Sequence, residues 1–282
     1  MMTLLIDIGN SRCKWALTKE NSGTDWLVTG EWLNGEFVQE HWLQQLTSIK
    51  QMAKQQHNGT VAAIVISCVA DEAVREQLQL YCQQVFSVTA HLAESTSEYQ
   101  AAQGLRLKNS YKVAEALGVD RWLAMIAGVE HVAGTFAILD AGTAITLDVV
   151  DATGQHLGGH IIPGQKLMRT SLLGDTGRIA WSAQHNQSEL TQSDWLANST
   201  QLAIEQGALH ASVAYLQYCI EKLQSHCQLK KLIITGGDGE QLYHLIRSNL
   251  KSSVIYQKDL VLQGLFYFYQ DIMSKKTTEK GN

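Results

Sequence analysis

The sequence predicts an α/β protein made of two similar lobes, and three observations carry that prediction. Apolar runs of strand length alternate with amphipathic helical tracts along the 282 residues, the pattern of an α/β fold. The stretch Leu4-Leu5-Ile6-Asp7-Ile8-Gly9-Asn10-Ser11 aligns with Ala137-Ile138-Leu139-Asp140-Ala141-Gly142-Thr143-Ala144. In each, an apolar strand delivers Asp-x-Gly-(Asn/Thr) into a tight turn and a second strand returns. Residues 61–67 with the helical tract 71–83 behind them parallel residues 232–235 with 239–249 behind them. One shared Asp-x-Gly is common by chance. Two pairs in the same order predict two similar lobes facing across a cleft.

Taken in order, residues 3–6 and 14–18 read as strands around the first turn, and 42–56 as a helix. The continuous apolar run 61–67 is a strand; in 71–83, Val74, Leu78 and Tyr81 recur at helical spacing along one face. A long helical tract covers 111–132, with Gly118 as a break within it. Residues 136–139 and 145–150 repeat the strand–turn–strand arrangement. Residues 182–194 are polar and read as a loop, 196–223 as a long helix, 232–235 as a strand and 239–249 as a helix. The last helix, 259–273, carries Phe266-Tyr267-Phe268-Tyr269 as a packing stripe, and the polar residues 274–282 are expected to form a flexible tail. The lobe boundary is expected at 116/117, giving lobes of 1–116 and 117–282.

Composition narrows the function classes. A hydrophobic fraction of 45% against 17% charged residues, with seven Trp, excludes a disordered chain. A net charge of −5 and no basic stripe make nucleic acid an unexpected partner. The single proline, Pro163, excludes proline-rich linkers. Cys13, Cys68, Cys82, Cys219 and Cys227 form no C-x-x-C pair and read as reduced thiols rather than a disulfide framework or zinc site. The ten histidines lack metal-ligand spacing and read as surface or core residues. No positively charged segment leads into an apolar one, and an apolar run such as 61–66, which no other exceeds, is far short of the ~20 residues a bilayer requires. A soluble cytoplasmic protein without membrane contact is expected.

The chemistry concentrates in the turns. Asp7-Ile8-Gly9-Asn10-Ser11-Arg12-Cys13-Lys14 places a glycine where backbone N–H groups can converge on an anion, with Asn10 and Ser11 as side-chain donors. Lys14 begins the return strand within reach of a phosphate, and Asp7 ends the first strand, where it can hold a hydrated metal ion. An ordinary hairpin capped by Asp and Asn is the alternative for this motif alone. Asp140-Ala141-Gly142-Thr143 offers the same nest with the Thr143 hydroxyl, and two such turns would grip nucleotide phosphates from both lobes. Neither a Walker G-x-x-x-x-G-K-[ST] nor a G-x-G-x-x-G occurs. Thr235-Gly236-Gly237 closes a strand before a helix, where glycines would let an adenosine lie against the backbone.

In Gly118-Val119-Asp120-Arg121-Trp122, two charges interrupt an apolar helical tract. Either they form a solvated face or local ion pair, or Asp120 deprotonates an acceptor hydroxyl while Arg121 binds polar substrate atoms. Residues 158–164 collect three glycines and the only proline, as a simple β-turn or as a rigid loop shaping a pocket.

This ordered set, Asp7-x-Gly-Asn-Ser-x-x-Lys14, Gly118-x-Asp-Arg121, Asp140-x-Gly-Thr-Ala144 and Thr235-Gly-Gly237, resembles the type III pantothenate kinases. The resemblance runs from about residue 3 to residue 270, with the motifs in family order. It implies two actin-like (ribonuclease H-like) lobes around a nucleotide cleft, and transfer of the ATP γ-phosphate to pantothenate at the start of coenzyme A synthesis. It assigns the first phosphate motif to Asp7, Ile8, Gly9, Asn10, Ser11, Arg12, Cys13 and Lys14, the second contact to Thr143, and the adenosine turn to Gly236 and Gly237. The base becomes Asp120, the monovalent-cation ligand Asp140, and the pantothenate contacts Tyr111, Gly118, Val119, Asp120, Arg121 and Thr200. Mg²⁺ (water-mediated at Asp7), K⁺ or NH₄⁺, and a homodimer are implied with them. Prolines common in the family are replaced here by Ala114 and Lys258. Two other classes remain open on this reading: another small-molecule kinase of the same fold, and an inactive nucleotide-binding regulator.

Overall fold

The computed structural model describes residues 1–19, 24–33, 39–175, 196–246 and 253–280. Contacts divide the chain into two units. The first comprises Met1–Ala133, Ala152–Gly158 and Asp259–Asn282; the second comprises Gly134–Asp151 and Gly159–Lys258.

The first unit opens with a hairpin of β1 (Met2–Ile8) and β2 (Arg12–Lys19), to which β3 (Val28–Leu33) adds antiparallel. Helix α1 (Gln39–His57) then carries the chain to β4 (Val61–Cys68), which pairs parallel with β1. Helix α2 (Glu72–Phe86) follows. Its start is set by Asp71, whose carboxylate accepts from the Val74 N–H at 3.0 Å, and its end by Ser87 in the left-handed region at φ 60°. The short β5 (His91–Leu92) completes a five-stranded sheet in the order β3-β2-β1-β4-β5. A separate hairpin of β6 (Glu98–Gln100) and β7 (Arg106–Lys108) precedes α3 (Val119–His131).

Alternation along β1 decides what each face of the sheet meets. Leu4, Ile6 and Ile8, with Cys13, Trp15, Ile64 and Ile66, join Trp42, Leu46 and Ile49 of α1 and Leu78, Tyr81 and Cys82 of α2 in one core. The opposite face, with Leu5 and Val65 fully buried, meets α3 and the C-terminal helix. Helices therefore cover both faces of a sheet whose central strands read as continuous apolar runs.

The second unit repeats this plan. Hairpin β8 (Phe136–Ala141) and β9 (Ala144–Val150) is flanked by β10 (His156–Pro163), which leads into α4 (Gln165–Asp175). Helix α5 (Thr200–Cys227) is capped by Ser199, whose hydroxyl accepts from Leu202 N–H at 3.3 Å. Then come β11 (Lys231–Thr235), α6 (Gly239–Ile246) and β12 (Ser253–Tyr256). The sheet order is β10-β9-β8-β11-β12, with β11 parallel to β8 and β12. Leu139, Ala141, Ile145 and Leu147 bury against Leu216 and Ile220 of α5 and Leu242 of α6. The last described element is α7 (Leu260–Lys280), which packs on α3.

Several expectations change. Residues 111–132 do not form one helical tract: Ala114–Ala116 is a single 3₁₀ turn, and Gly118 is the N-cap from which α3 starts. Asn109 turns the chain there, its side chain accepting from Tyr111 N–H and donating to the Ala114 carbonyl. Residues 158–164 are not a loop, since all but Gly164 belong to β10, and an edge strand tolerates both glycine and a terminal proline. Residues 274–280 are not a tail, because α7 continues to Lys280 with Lys275 paired to Asp271 at 2.6 Å. Contacts group α3 with the first sheet, alongside α7 on which it packs. Residues 182–194 and 247–249 lie outside the described residues.

At the α3–α7 crossing a Cβ on Gly264 would run into the Leu123 backbone carbonyl. Gly264→Ala is expected to lower unfolding free energy by about 1–3 kcal/mol through overpacking, outweighing the ~1 kcal/mol helix propensity it gains. Gly207→Ala in α5, where no described residue lies within 4 Å of the Cβ position, should keep that gain. Urea unfolding followed by circular dichroism reads both, and a Gly264→Ala protein as stable as the parent would show that the helices tolerate more separation.

Candidate functional site

Register puts the first turn's charged groups on one face. Asp7 sits directly across from Lys14 on β2 and beside Ser67 on β4, while Ile8 lies between Cys13 and Cys68 on the opposite, core-facing side. The turn itself is closed by the Gly9 N–H donating to the Arg12 carbonyl at 3.0 Å. Ile8 and Cys13 are fully buried, so within this motif their side chains serve the core and their backbone alone is offered to a ligand. Burial, and secondarily the charge of Asp7, pushes the Cys13 thiol well above its usual range. Burial likewise pushes Cys82 up to about 12. These cysteines are neutral packing groups beneath the turn. Arg12 points away to an exposed ion pair with Glu31 at 3.0 Å.

The second candidate group in this unit surrounds the start of α3. Gly118 has no side chain, and a Cβ there would stand 2.7 Å from Asp120 Oδ1. The carboxylate occupies that space, accepting from its neighbour's backbone N–H, Arg121, at 2.8 Å. Asp120 thus lies in the first turn of α3, beside the positive end of the helix. The Leu117 carbonyl just ahead is fixed by the Ser95 hydroxyl at 2.9 Å. Val119 is buried and Arg121 is 6% exposed, which removes the solvated-face alternative for the arginine. Arg121 Nη1 donates to the Tyr111 hydroxyl at 2.9 Å, and its guanidinium carbon stands 5.8 Å from that ring's centroid. Sequence positions ten apart are thereby joined in one polar cluster. Tyr111 also stacks on His156, with centroids 6.3 Å apart and planes at 13°.

In the second unit the other turn is built almost wholly from backbone. Asp140 lies across from Thr146 on β9 and beside Thr235 on β11. Gly142 N–H donates to the Ala144 carbonyl, Gly164 N–H to the Thr143 carbonyl and Asp238 N–H to the Ala141 carbonyl, at 3.0, 2.9 and 2.9 Å. Gly236 adopts φ +93°, and a Cβ there would collide with the Ala141 carbonyl and stand 2.5 Å from Asp140 Oδ1. A Cβ on Gly164 would strike the Gly142 and Thr143 carbonyls. Asp140, Thr143 and Gly236 are thus brought into one cradle, with Gly237 adjacent and no described residue within 4 Å of its Cβ position.

Gly164 and His156 are the residues that sequence reasoning did not single out. Gly164 was visible only as one glycine of a turn, and His156 as one of ten histidines. Thr200 is the first residue of α5. It lines a cavity of about 470 Å³ with Met168, Leu172, Ala203, Ile204, Gly207 and Ala208. Among the described residues, no three His, Cys, Asp or Glu side chains come together as a metal cluster.

The model of a protein family described as type III pantothenate kinase matches residues 3–222. A type III pantothenate kinase of Nitrosococcus oceani is 33% identical over 272 residues, covering 94% of this chain and 92% of that one. Among solved structures, an inorganic polyphosphate/ATP-glucomannokinase from Arthrobacter sp. strain KM superposes with a TM-score of 0.51 at 9% identity, covering 97% of this chain and 99% of its own. An activator of 2-hydroxyisocaproyl-CoA dehydratase from Clostridium difficile with bound ADPNP gives 0.50 at 10% identity and 98% coverage of both chains. At such identities the structural likeness speaks for the fold, which is the actin-like, two-lobed α/β plan.

The cradle supplies its own test. Gly236→Ala should lose about 1–3 kcal/mol of stability, since both space and φ are denied. Gly237→Ala should stay within ~0.5 kcal/mol of the parent. Thermal or urea melts of the two neighbours give the comparison, and equal losses would contradict the close approach at Gly236.

Proposed function

We infer the function from membership: the chain belongs to the type III pantothenate kinases, and it phosphorylates pantothenate with ATP in coenzyme A biosynthesis. The observation that carries this is the family match across residues 3–222, which spans both Asp-x-Gly turns and the start of α3.

The geometry supports the following division of roles. Phosphoryl transfer proceeds through a loose transition state, so positioning and charge neutralisation supply most of the catalysis. The backbone of residues 8–13, with Asn10, Ser11 and Lys14, cradles phosphate oxygens at the first turn; Thr143 does so at the second. Gly236 and Gly237 admit adenosine against the backbone. Tyr111, Arg121, Gly118 and Val119 hold pantothenate, the buried guanidinium meeting its polar groups, and Thr200 adds a hydroxyl. Asp120 orients the acceptor hydroxyl and takes its proton. Ile8, Arg12 and Cys13 take part through backbone alone.

Two ions complete the reading. K⁺ is held by oxygen donors such as backbone carbonyls, and the Asp140 carboxylate beside closely packed backbone carbonyls, in a cradle that a Cβ would fill, is such a donor set. K⁺ or NH₄⁺ would be held there. Mg²⁺ keeps several waters and is bound through one or two carboxylates plus substrate phosphates, so the single half-buried Asp7 at the strand end fits it. When bound, these ions neutralise developing charge on the phosphates. A homodimer is also part of the proposal, supported by the exposed apolar side chains Ile161, Leu167, Leu172 and Tyr218 of the second unit. No helix among the described residues is long and apolar enough to cross a membrane. A cytoplasmic location is proposed with the reduced cysteines.

ADP release should depend on pantothenate and on Mg²⁺, and should be faster in K⁺ or NH₄⁺ than in Na⁺. Release that ignores pantothenate would remove the substrate assignment. Asp120→Asn should lower kcat by about 10²–10⁴ with folding unchanged; near-parental turnover would take the base assignment away from Asp120.

A further inference from the structure

The pantothenate reading leaves open how Tyr111 is held. It lies on an irregular stretch between β7 and α3, 36% exposed, with no helix or strand to fix its side chain. An aromatic side chain on such a segment loses affinity to conformational freedom unless something fixes it before the substrate arrives. Arg121 supplies one restraint through the Tyr111 hydroxyl. The ring needs a second.

That second restraint is His156. It is 1% exposed, a buried polar side chain at the first position of β10. Its ring lies nearly parallel to Tyr111 at 13°, and its Nδ1 is 3.0 Å from the hydroxyl of Ser110, the residue just before Tyr111. One imidazole thus touches two consecutive residues of the irregular stretch, by hydrogen bond on one and by ring face on the next.

The position of His156 is itself imposed. The turn ahead of β10 docks on β7: Lys108 N–H donates to the Gly154 carbonyl at 2.9 Å, and Lys108 bridges Gln155. Gly154 adopts φ +85°, and a Cβ there would collide with the Arg106 carbonyl, so the turn closes on β7 only with glycine. The histidine is delivered from a rigid support.

We propose that His156 is a positioning residue for pantothenate: through Ser110 and the Tyr111 ring it preorganises the Tyr111–Arg121 pair. It acts on substrate through these neighbours, and the inference rests on Tyr111 and Arg121 being pantothenate contacts.

The experiment is steady-state kinetics on the full chain, varying pantothenate at saturating ATP and then ATP at saturating pantothenate. His156→Phe keeps a ring against Tyr111 and loses the Ser110 bond; His156→Asn keeps a polar partner for Ser110 and loses the ring. Each should raise KM for pantothenate by about tenfold, the scale of a modest misplacement, with kcat and the KM for ATP within about twofold of the parent. His156→Ala, which loses both, should exceed either. Should the buried substitutions not fold, Ser110→Ala outside any helix or strand should still raise the pantothenate KM by about threefold. Unchanged pantothenate KM in these variants, with Tyr111→Phe and Arg121→Lys raising it, overturns the positioning role and leaves the site reading standing. A fall in kcat alone, with both KM values unchanged, also overturns it, marking His156 as merely structural. Unchanged pantothenate KM in Tyr111→Phe and Arg121→Lys overturns the site reading itself and the inference with it.

Discussion

The register of two central strands is the constraint on which the rest of this structure depends. In each unit the first strand of a hairpin, β1 or β8, runs between an antiparallel partner and a parallel one, and its acidic residue falls at the strand end. Asp7 is flanked by Lys14 and Ser67, and Asp140 by Thr146 and Thr235. Because side chains alternate, a slip of one residue would exchange Asp7 with Ile8 and turn a carboxylate into the core beneath α1 and α2. Burying a charge without compensation costs several kcal/mol, and Ile8, moved to the half-buried place of Asp7, would lose part of the roughly 1.5–3 kcal/mol its burial supplies. The site geometry is therefore enforced by the hydrophobic pattern of residues that never meet a substrate.

The two hairpins share a plan and differ in chemistry. Asp7 faces a residue seven positions on, Lys14, whereas Asp140 faces one six positions on, Thr146. The second turn is tighter, and its return strand brings a hydroxyl where the first brings an ammonium. Its walls come from elsewhere: glycines 164 and 236, from separate segments, lie against its carbonyls. The first turn is equipped by its own side chains, and the second by the close approach of other backbone. An internal repeat in sequence thus gives two turns of like backbone plan and unlike chemistry.

This difference also marks how much could be read in advance. Asp-x-Gly turns, the strands around them and α2 were legible because glycine, apolar runs and a helical face are local signals. The pairing of Tyr111 with Arg121 was legible only in part: both residues could be named, but not the 3₁₀ turn that Asn109 organises to bring them together. β3 was missed because Gly30 and Glu31, residues depleted in strands, interrupt its apolar run, and β12 because it spans only four residues. β10 was missed because Gly158 and Gly159 read as a turn, yet an edge strand pairs on one side only and tolerates them. The tail was misread because polarity was taken for disorder, although Lys and Glu are good helix formers and Gly281 is the first breaker after Met273. His156 carries no local signal at all. Its burial arises from the docking of a turn on β7, a tertiary event.

The only proline gains its meaning from the same tertiary view. Pro163 ends β10, where a missing N–H costs least, and its fixed φ sets the direction in which the chain leaves the sheet. The next residue must then pass against the second turn, with its N–H on the Thr143 carbonyl and no room for a side chain. Proline and glycine have opposite conformational tendencies, and here they act in sequence: the first restricts the chain's exit, the second permits the approach. α4 starts immediately afterwards, with the Gly164 carbonyl accepting from Met168. A proline without the glycine would aim a Cβ at the turn. A glycine without the proline would leave the approach to be held by a single hydrogen bond. The dipeptide backs the turn that carries Asp140 and Thr143, which is why residues remote from any reacting atom belong to the physics of the site.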